Sequence, residues 1–122
     1  MFKSDLIVRK KSNDDNDDIW VVCSPLIYES EILEKSIIIP VGFETNFASV
    51  PRIPFVYDLA GGTANEAAVV HDYLYTYHDI TKTRAVADSI LLEASKSTNV
   101  HVIRRYIMWA AVRVFGESNW NC

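Results

Sequence analysis

Two side chains capable of acid–base chemistry, His71 and Asp88, flank the junction of two predicted helices. The link between these helices, from Tyr77 to Lys82, is short, and short links favour antiparallel neighbours. Counted from the link, His71 lies about six residues back and Asp88 about six residues on, which predicts that they face each other. A carboxylate that accepts from one imidazole nitrogen fixes the tautomer and leaves the other nitrogen to take a proton. This is the chemistry of a general base.

The first helix is predicted to begin just after Gly61 and Gly62. Thr63 followed by Glu66 forms a capping box, which is typical of a helix start. Residues at helical spacing then form one predicted inward stripe: Ala64, Ala67, Ala68, His71, Leu74 and Tyr75. His71 is therefore expected on the buried face, beside alanines small enough for another element to approach closely.

The second helix carries a carboxylate within an apolar stripe formed by Ala85, Asp88, Leu91 and Leu92. Asp88 also has two interpretations that involve no catalysis. A buried His71–Asp88 pair can hold two helices in register without any chemistry. Arg84, one turn before Asp88, can form an i, i+4 ion pair that accounts for the carboxylate without His71.

A third helix is predicted from about Val100 to Phe115, capped by Thr98-Asn99 and stopped by Gly116. Its apolar residues cover more than one side, which is typical of a helix that is central or is covered by a partner. We expect a central helix, and a homo-oligomer interface through residues 100–115 is the alternative.

The first third of the chain has short β-branched or aromatic runs rather than helical periodicity. We predict strands at Leu6–Arg9, Ile19–Cys23, Leu26–Glu29 and Ser36–Val41. The expected fold class is α+β, with a small N-terminal antiparallel sheet packed against a C-terminal three-helix unit. We expect a single domain over residues 1–122, in which 1–41 are mainly β, 42–62 form an ordered loop and 63–116 form the three helices.

The loop over residues 42–62 combines hydroxyl and amide side chains with aromatic residues. Thr45, Asn46 and Ser49 can each bond nearby backbone, which favours an ordered loop. Loops of this kind often carry function on a rigid scaffold. The additional site candidates are Thr45, Asn46, Ser49 and Arg52, together with Tyr75 of the first helix.

The composition and net charge of the chain argue against some classes of function. The 122 residues are 49% hydrophobic and 23% charged, as in ordinary globular domains. A net charge of -4 argues against a nucleic-acid partner, which usually meets a basic face. No apolar run approaches the roughly 18 residues of a membrane span, so none is expected.

Metal binding has one zinc alternative, formed by His71, His78 and Asp88. The two histidines are seven residues apart, whereas helical zinc pairs use i, i+4 spacing, so this alternative is weak. His78 near the end of the first helix is accounted for more simply by the helix dipole.

Several segments, in order, resemble the domain-of-unknown-function family 1353, small proteins common in tailed bacteriophages and prophages. They are Val41–Arg52, Ala67–Tyr75, Arg84 with Ala87-Asp88, and Ala111–Gly116. The resemblance implies a phage origin, with the host cytoplasm or the virion as location. It does not imply an activity, because the family has no agreed one. The family's loop usually reads Thr-Asp-Phe-Ala-Ser, and Asn46 replaces its acid, so a role that needs a charge there is not expected.

A shorter stretch resembles the catalytic helix pair of secreted phospholipases of the A2 type, most closely the small microbial members. The matching residues are His71-Asp72 with Tyr75, and Asp88 on the following helix. The resemblance implies that His71 activates water and that Asp88 orients His71. It further implies that Asp72 binds calcium with carbonyls of residues 57–62. The disulfides of such enzymes are absent.

Three functions follow as hypotheses. The first is a non-catalytic phage protein that binds a virion component or a host factor. The second is a hydrolase for an ester or phosphoester that uses the His71–Asp88 dyad, with calcium as a candidate cofactor through Asp72. The third is a metal-stabilised structural module.

Overall fold

A computed structural model of the chain describes residues 1–11, 19–46 and 65–121. Within these ranges the strands are β1 Val8–Lys10, β2 Trp20–Val22, β3 Leu26–Ser30, β4 Lys35–Ile39 and β5 Glu44–Thr45. The helices are α1 Asn65–Thr76, α2 Arg84–Ser97, α3 Val102–Phe115 and α4 Glu117–Trp120. Strands precede helices, which confirms the predicted α+β class.

The strands form two small antiparallel sheets rather than one, with the orders β1-β2-β5 and β3-β4. The division falls between β2 and β3, where Pro25 lacks the backbone N–H that a continuous ladder would use. An isolated bridge between Phe2 and Tyr28 links the N-terminal segment to β3. The strand β5 lies inside the segment that we predicted as loop. It was missed because its two residues are too few to show the alternation typical of a strand.

The core is formed around α1, which packs between α2 and the strands β4 and β5. Helix α1 buries the members of its predicted stripe from Ala67 to Tyr75, while Ala64 lies outside the described residues. Val69 and Val70 are also fully buried. Apolar side chains of β3 and β4 complete this cluster at Leu26, Tyr28, Ile37 and Ile39. The packing of α1 against α2 is what sets the level at which their facing side chains meet.

The residues between α2 and α3 do not act as predicted. Thr83 caps its start by accepting from the Val86 amide at 3.2 Å. Thr98 and Asn99 terminate α2 instead of capping α3, because Asn99 takes a φ of 62°, a conformation that asparagine tolerates. The cap of α3 is His101, whose Nδ1 accepts from the Ile103 amide at 3.2 Å. The prediction that α3 begins near Val100 was therefore wrong by two residues.

The prediction that α3 is central was also wrong. Only Met108 and Val112 of α3 are buried, because α3 packs on α2 along one side. Its remaining apolar surface faces outward. In the second helix Ala85 is likewise exposed, while Asp88 and Leu91 face inward as expected. No helix in the described ranges is long and apolar enough to cross a membrane.

Several predicted features lie outside the described residues. They are the capping residue Thr63, the glycines Gly61 and Gly62, the loop from residue 47 onward, and the site candidates Ser49 and Arg52.

Candidate functional site

His71 and Asp88 meet inside the molecule, as their distances from the α1–α2 turn predict. His71 Nε2 lies 2.7 Å from Asp88 Oδ1, and the residues are 2% and 0% exposed. The hydrogen bond joins the middle of α1 to the first half of α2. A short polar contact away from water is stronger than the same contact at the surface.

The ionisation of Asp88 determines the tautomer of His71. Burial alone would raise the pKa of Asp88, but hydrogen bonds from His71, Tyr75 and Arg113 outweigh burial and lower that pKa. An ionised carboxylate only accepts hydrogen bonds, so Nε2 carries the hydrogen and donates it. In this tautomer Nδ1 holds the lone pair and is the basic nitrogen of the ring.

Asp88 accepts hydrogen bonds from two helices and forms an ion pair within its own. Besides His71 of α1, Oδ1 accepts the Tyr75 hydroxyl at 2.6 Å, while Oδ2 accepts Arg113 Nη1 of α3 at 2.9 Å. Arg84 Nη1 lies 3.6 Å from Oδ2 as an i, i+4 ion pair. The predicted ion pair with Arg84 therefore exists together with the His71 pair rather than instead of it.

Arg84 also ties α2 to the end of α3. Its Nη1 donates to the Val112 carbonyl at 2.9 Å, and its guanidinium donates to the Arg113 carbonyl at 3.3 Å. A cation is favourable at the end of a helix, where the last carbonyls are short of intrahelical partners. Here the Val112 carbonyl accepts from the Gly116 amide as well as from Arg84. This contact places the end of α3 so that the Arg113 side chain reaches Asp88.

The ring of Tyr75 is enclosed on two sides. The His71 ring lies 4.2 Å from it, centroid to centroid, and Trp120 of α4 meets it edge-on at 5.3 Å. Burial raises the pKa of the Tyr75 hydroxyl, and its hydrogen bond to Asp88 raises it further, so Tyr75 acts as a neutral donor. The candidate Tyr75 therefore belongs to the site through Asp88.

His78 does not join the pair. Its ring stacks on Trp120, with centroids 3.5 Å apart and planes inclined by 7°. Among the described residues no three His, Cys, Asp or Glu side chains are grouped closely enough to hold a metal ion. The zinc alternative built from His71, His78 and Asp88 was therefore wrong.

Asp72 points toward the start of the predicted functional loop. It accepts a hydrogen bond from the Thr45 side chain and one from the Asn46 backbone. Neighbours on a helix point about 100° apart, so Asp72 leaves the His71 side and meets β5 instead. The structure thus brings the candidates Thr45, Asn46 and Asp72 together one residue from His71.

We predict that ionisation of Asp72 opposes folding. Burial raises its pKa, and the bond from Thr45, the attraction of His71 and the bond from Asn46 offset this only in part. When folding raises the pKa of a carboxyl, the folded protein loses stability as pH rises from the unfolded pKa of that group, near about 4, through its folded pKa. Relative to wild type, the Asp72→Asn variant should therefore gain unfolding free energy across this window. Urea denaturation from about pH 3.5 to about pH 7 measures the difference.

The Asp5→Asn variant is the control, because it makes the same chemical change at a solvent-exposed carboxyl. A wild-type minus Asp72→Asn difference that is flat with pH would contradict the prediction.

Sequence reasoning missed two residues of the site, Arg113 and Trp120. Arg113 is 25 positions from Asp88, and no short-range pattern links the two. The available signal was an arginine in an otherwise apolar last turn, next to Gly116. Trp120 follows the predicted helix stop, and nothing in its spacing indicates the His78 stack.

Residues 20–112 of the chain match the family described as "Protein of unknown function (DUF1353)". The match includes His71, Asp72, Tyr75, Arg84 and Asp88, and it ends one residue before Arg113. No curated protein and no solved structure matches the chain significantly.

Proposed function

Because the chain belongs to the DUF1353 family, whose description assigns no activity, we propose a function from the site itself: hydrolysis of an ester or phosphoester. His71 is the general base and Asp88 the acid that orients it. The observation that carries the proposal is the 2.7 Å bond between His71 Nε2 and an ionised, fully buried Asp88. A base held in one tautomer by a fixed carboxylate is a recurrent arrangement in hydrolases.

In the proposed reaction, His71 Nδ1 takes a proton from a water molecule while the water oxygen attacks the carbonyl carbon or phosphorus. The bond to the leaving alcohol oxygen then breaks, and the imidazolium returns its proton to that oxygen. Asp88 stabilises the transient positive charge on His71 through the Nε2 bond. Tyr75 and Arg113 hold Asp88 in place and favour its ionised form.

Calcium assistance through Asp72 is a separate part of this proposal, suggested by the resemblance to A2-type phospholipases. Its support is positional, since Asp72 follows the base and meets the start of the loop at Thr45 and Asn46. A hard cation with six or more oxygen ligands would have to compete with these two donors. The reaction as written does not depend on calcium.

The second candidate is a non-catalytic phage protein that binds a virion component or a host factor. The burial of the pair supports it, because a His71 that is 2% exposed can fix the helix register without any substrate. The two candidates make opposite predictions for a variant that keeps the bond to Asp88 but cannot act as a base.

His71→Gln is that variant, because the glutamine amide can donate to Asp88 but has no basic nitrogen. We expect it to fold and to lose at least about 100-fold of wild-type hydrolysis, the contribution typical of a general base. Chromogenic acyl-ester and phosphodiester probes, each assayed with calcium and with a chelator, measure this loss. His101→Gln is the matched control and should keep wild-type activity.

Two outcomes would reject the hydrolase. One is a folded His71→Gln variant that is as active as wild type. The other is wild-type protein inactive toward both probes in both metal conditions. Unfolding of His71→Gln, with His101→Gln intact, would support the structural role of the pair.

A further inference from the structure

The outward side of α3 is largely apolar, and the one charged residue within its arc, Arg113, directs its guanidinium to Asp88. At about 100° per residue, positions 102, 103, 106, 110 and 114 fall within an arc of about 120°. The large side chains on it are 46–68% exposed: Val102, Ile103, Tyr106 and Val114. Ala110 lies in the middle of the arc and is also exposed. We call these five residues the α3 face.

Arginines border the α3 face on both sides. Arg105 precedes the arc by about 60° and Arg104 follows it by about 80°, and both are half-buried. The Arg105 guanidinium lies 5.9 Å from the centre of the Tyr106 ring. Helix α3 has no acidic residue, although the chain as a whole carries a net charge of -4. Positive charge is therefore concentrated beside the exposed apolar face.

We propose that α3 binds an anionic lipid surface, lying parallel to it with the α3 face inserted. Interfacial helices carry an apolar face bordered by basic residues and bury it about 5–10 Å into the boundary between headgroups and acyl chains. Arg104 and Arg105 would extend to lipid phosphates while their aliphatic parts stay beside the apolar arc. The net negative charge of the rest of the molecule favours an orientation in which only α3 meets the lipid.

A second copy of the chain fits this surface less well. Fourteen helical residues span about 21 Å and present a footprint of about 200 Å², against about 800 Å² per partner in a standard interface. A two-fold pairing of α3 would also bring the arginines of both copies into the interface without an acid from α3. Charge and area thus favour lipid over self-association.

The inference is independent of the proposed hydrolase, since lipid binding is measured without turnover. Flotation with vesicles of phosphatidylcholine plus roughly 30 mol% phosphatidylglycerol provides the probe, with pure phosphatidylcholine vesicles as comparison. We expect wild type to bind the anionic vesicles more tightly and to lose affinity between about 0.1 M and 0.5 M salt. Removing one arginine with Arg105→Gln should weaken binding about 5-fold.

The decisive variant is Ile103→Asp/Val114→Asp, which places charges in the α3 face at exposed positions and should reduce binding at least about 10-fold. Ile38→Asp is the matched control: Ile38 is 56% exposed on β4, and its substitution should leave binding unchanged. Circular dichroism verifies that each variant is folded.

Three results would overturn the proposal. They are absence of wild-type binding to anionic vesicles at low salt, equal binding by Ile103→Asp/Val114→Asp, and equal weakening by Ile38→Asp. A dimer that forms without lipid and is abolished by Ile103→Asp would assign the face to a second copy instead.

Discussion

Replacing Asp88 by asparagine is expected to lower the free energy of unfolding by about 3–5 kcal/mol, the usual cost of removing one partner of a buried ion pair. The carboxylate is fully buried and accepts on both oxygens. Asparagine has one acceptor oxygen, so either His71 with Tyr75 or the two arginines would face an amide donor. Urea denaturation near neutral pH measures the loss.

The pH dependence of this loss has a definite sign. Because folding lowers the pKa of Asp88, its contribution is complete above its unfolded pKa, near about 4, and is lost as pH falls through the folded value. The difference between wild type and Asp88→Asn should therefore be constant at neutral pH and shrink in acid. Asp79→Asn, an exposed turn residue, controls for the loss of charge. A cost below about 1 kcal/mol would place Asp88 among weak surface pairs.

Gly116→Ala is expected to destabilise the fold by about 1–3 kcal/mol, as overpacking of a filled site does. A Cβ at Gly116 would clash with the Val112 carbonyl oxygen and lie 2.6 Å from the Tyr75 hydroxyl. Either the end of α3 or the Tyr75 ring must then move, and Tyr75 holds Asp88. Thermal and urea unfolding measure the change.

The sign of the Gly116→Ala result is the critical outcome. Gly116 has a φ of -81°, which alanine adopts readily, so an uncrowded site would give a gain of about 0.4–1 kcal/mol. Stabilisation would thus show that the crowding is absent. The cost should shrink in a Tyr75→Phe background, which removes the hydroxyl contact. Gly42→Ala is the comparison, because Gly42 has no atom within 4 Å of its Cβ position but has a φ of 95°, so only backbone strain applies.

The centre of the site was predictable because it depends on local geometry. A helix start, a short turn and the 3.6-residue period together place His71 opposite Asp88, and the structure joins them. Arg113 could not be predicted this way, because its reach to Asp88 depends on the packing of α3 against α2. That packing includes the bond from Arg84 to the Val112 carbonyl, a contact between side chain and backbone that sequence periodicity does not show.

The fold class was predictable for the same reason, and the errors concerned the pairing of the strands, the start of α3 and the exposure of its surface. The apolar residues of α3 are the same whether they face a core or the outside, so composition could not decide that α3 is peripheral. The pairing of Glu44 and Thr45 with β2 could not be predicted either, because two residues are too few to show the alternation typical of a strand.

The contact from Arg84 to the Val112 and Arg113 carbonyls has a consequence for local opening. Terminal turns of helices ordinarily fray at little cost in free energy, but the last turn of α3 is anchored to α2 and, through Arg113, to Asp88. Fraying there must break an ion pair in the interior. The Gly116 amide, bonded to the Val112 carbonyl at 2.8 Å, should consequently exchange with deuterium as slowly as amides in the middle of α2.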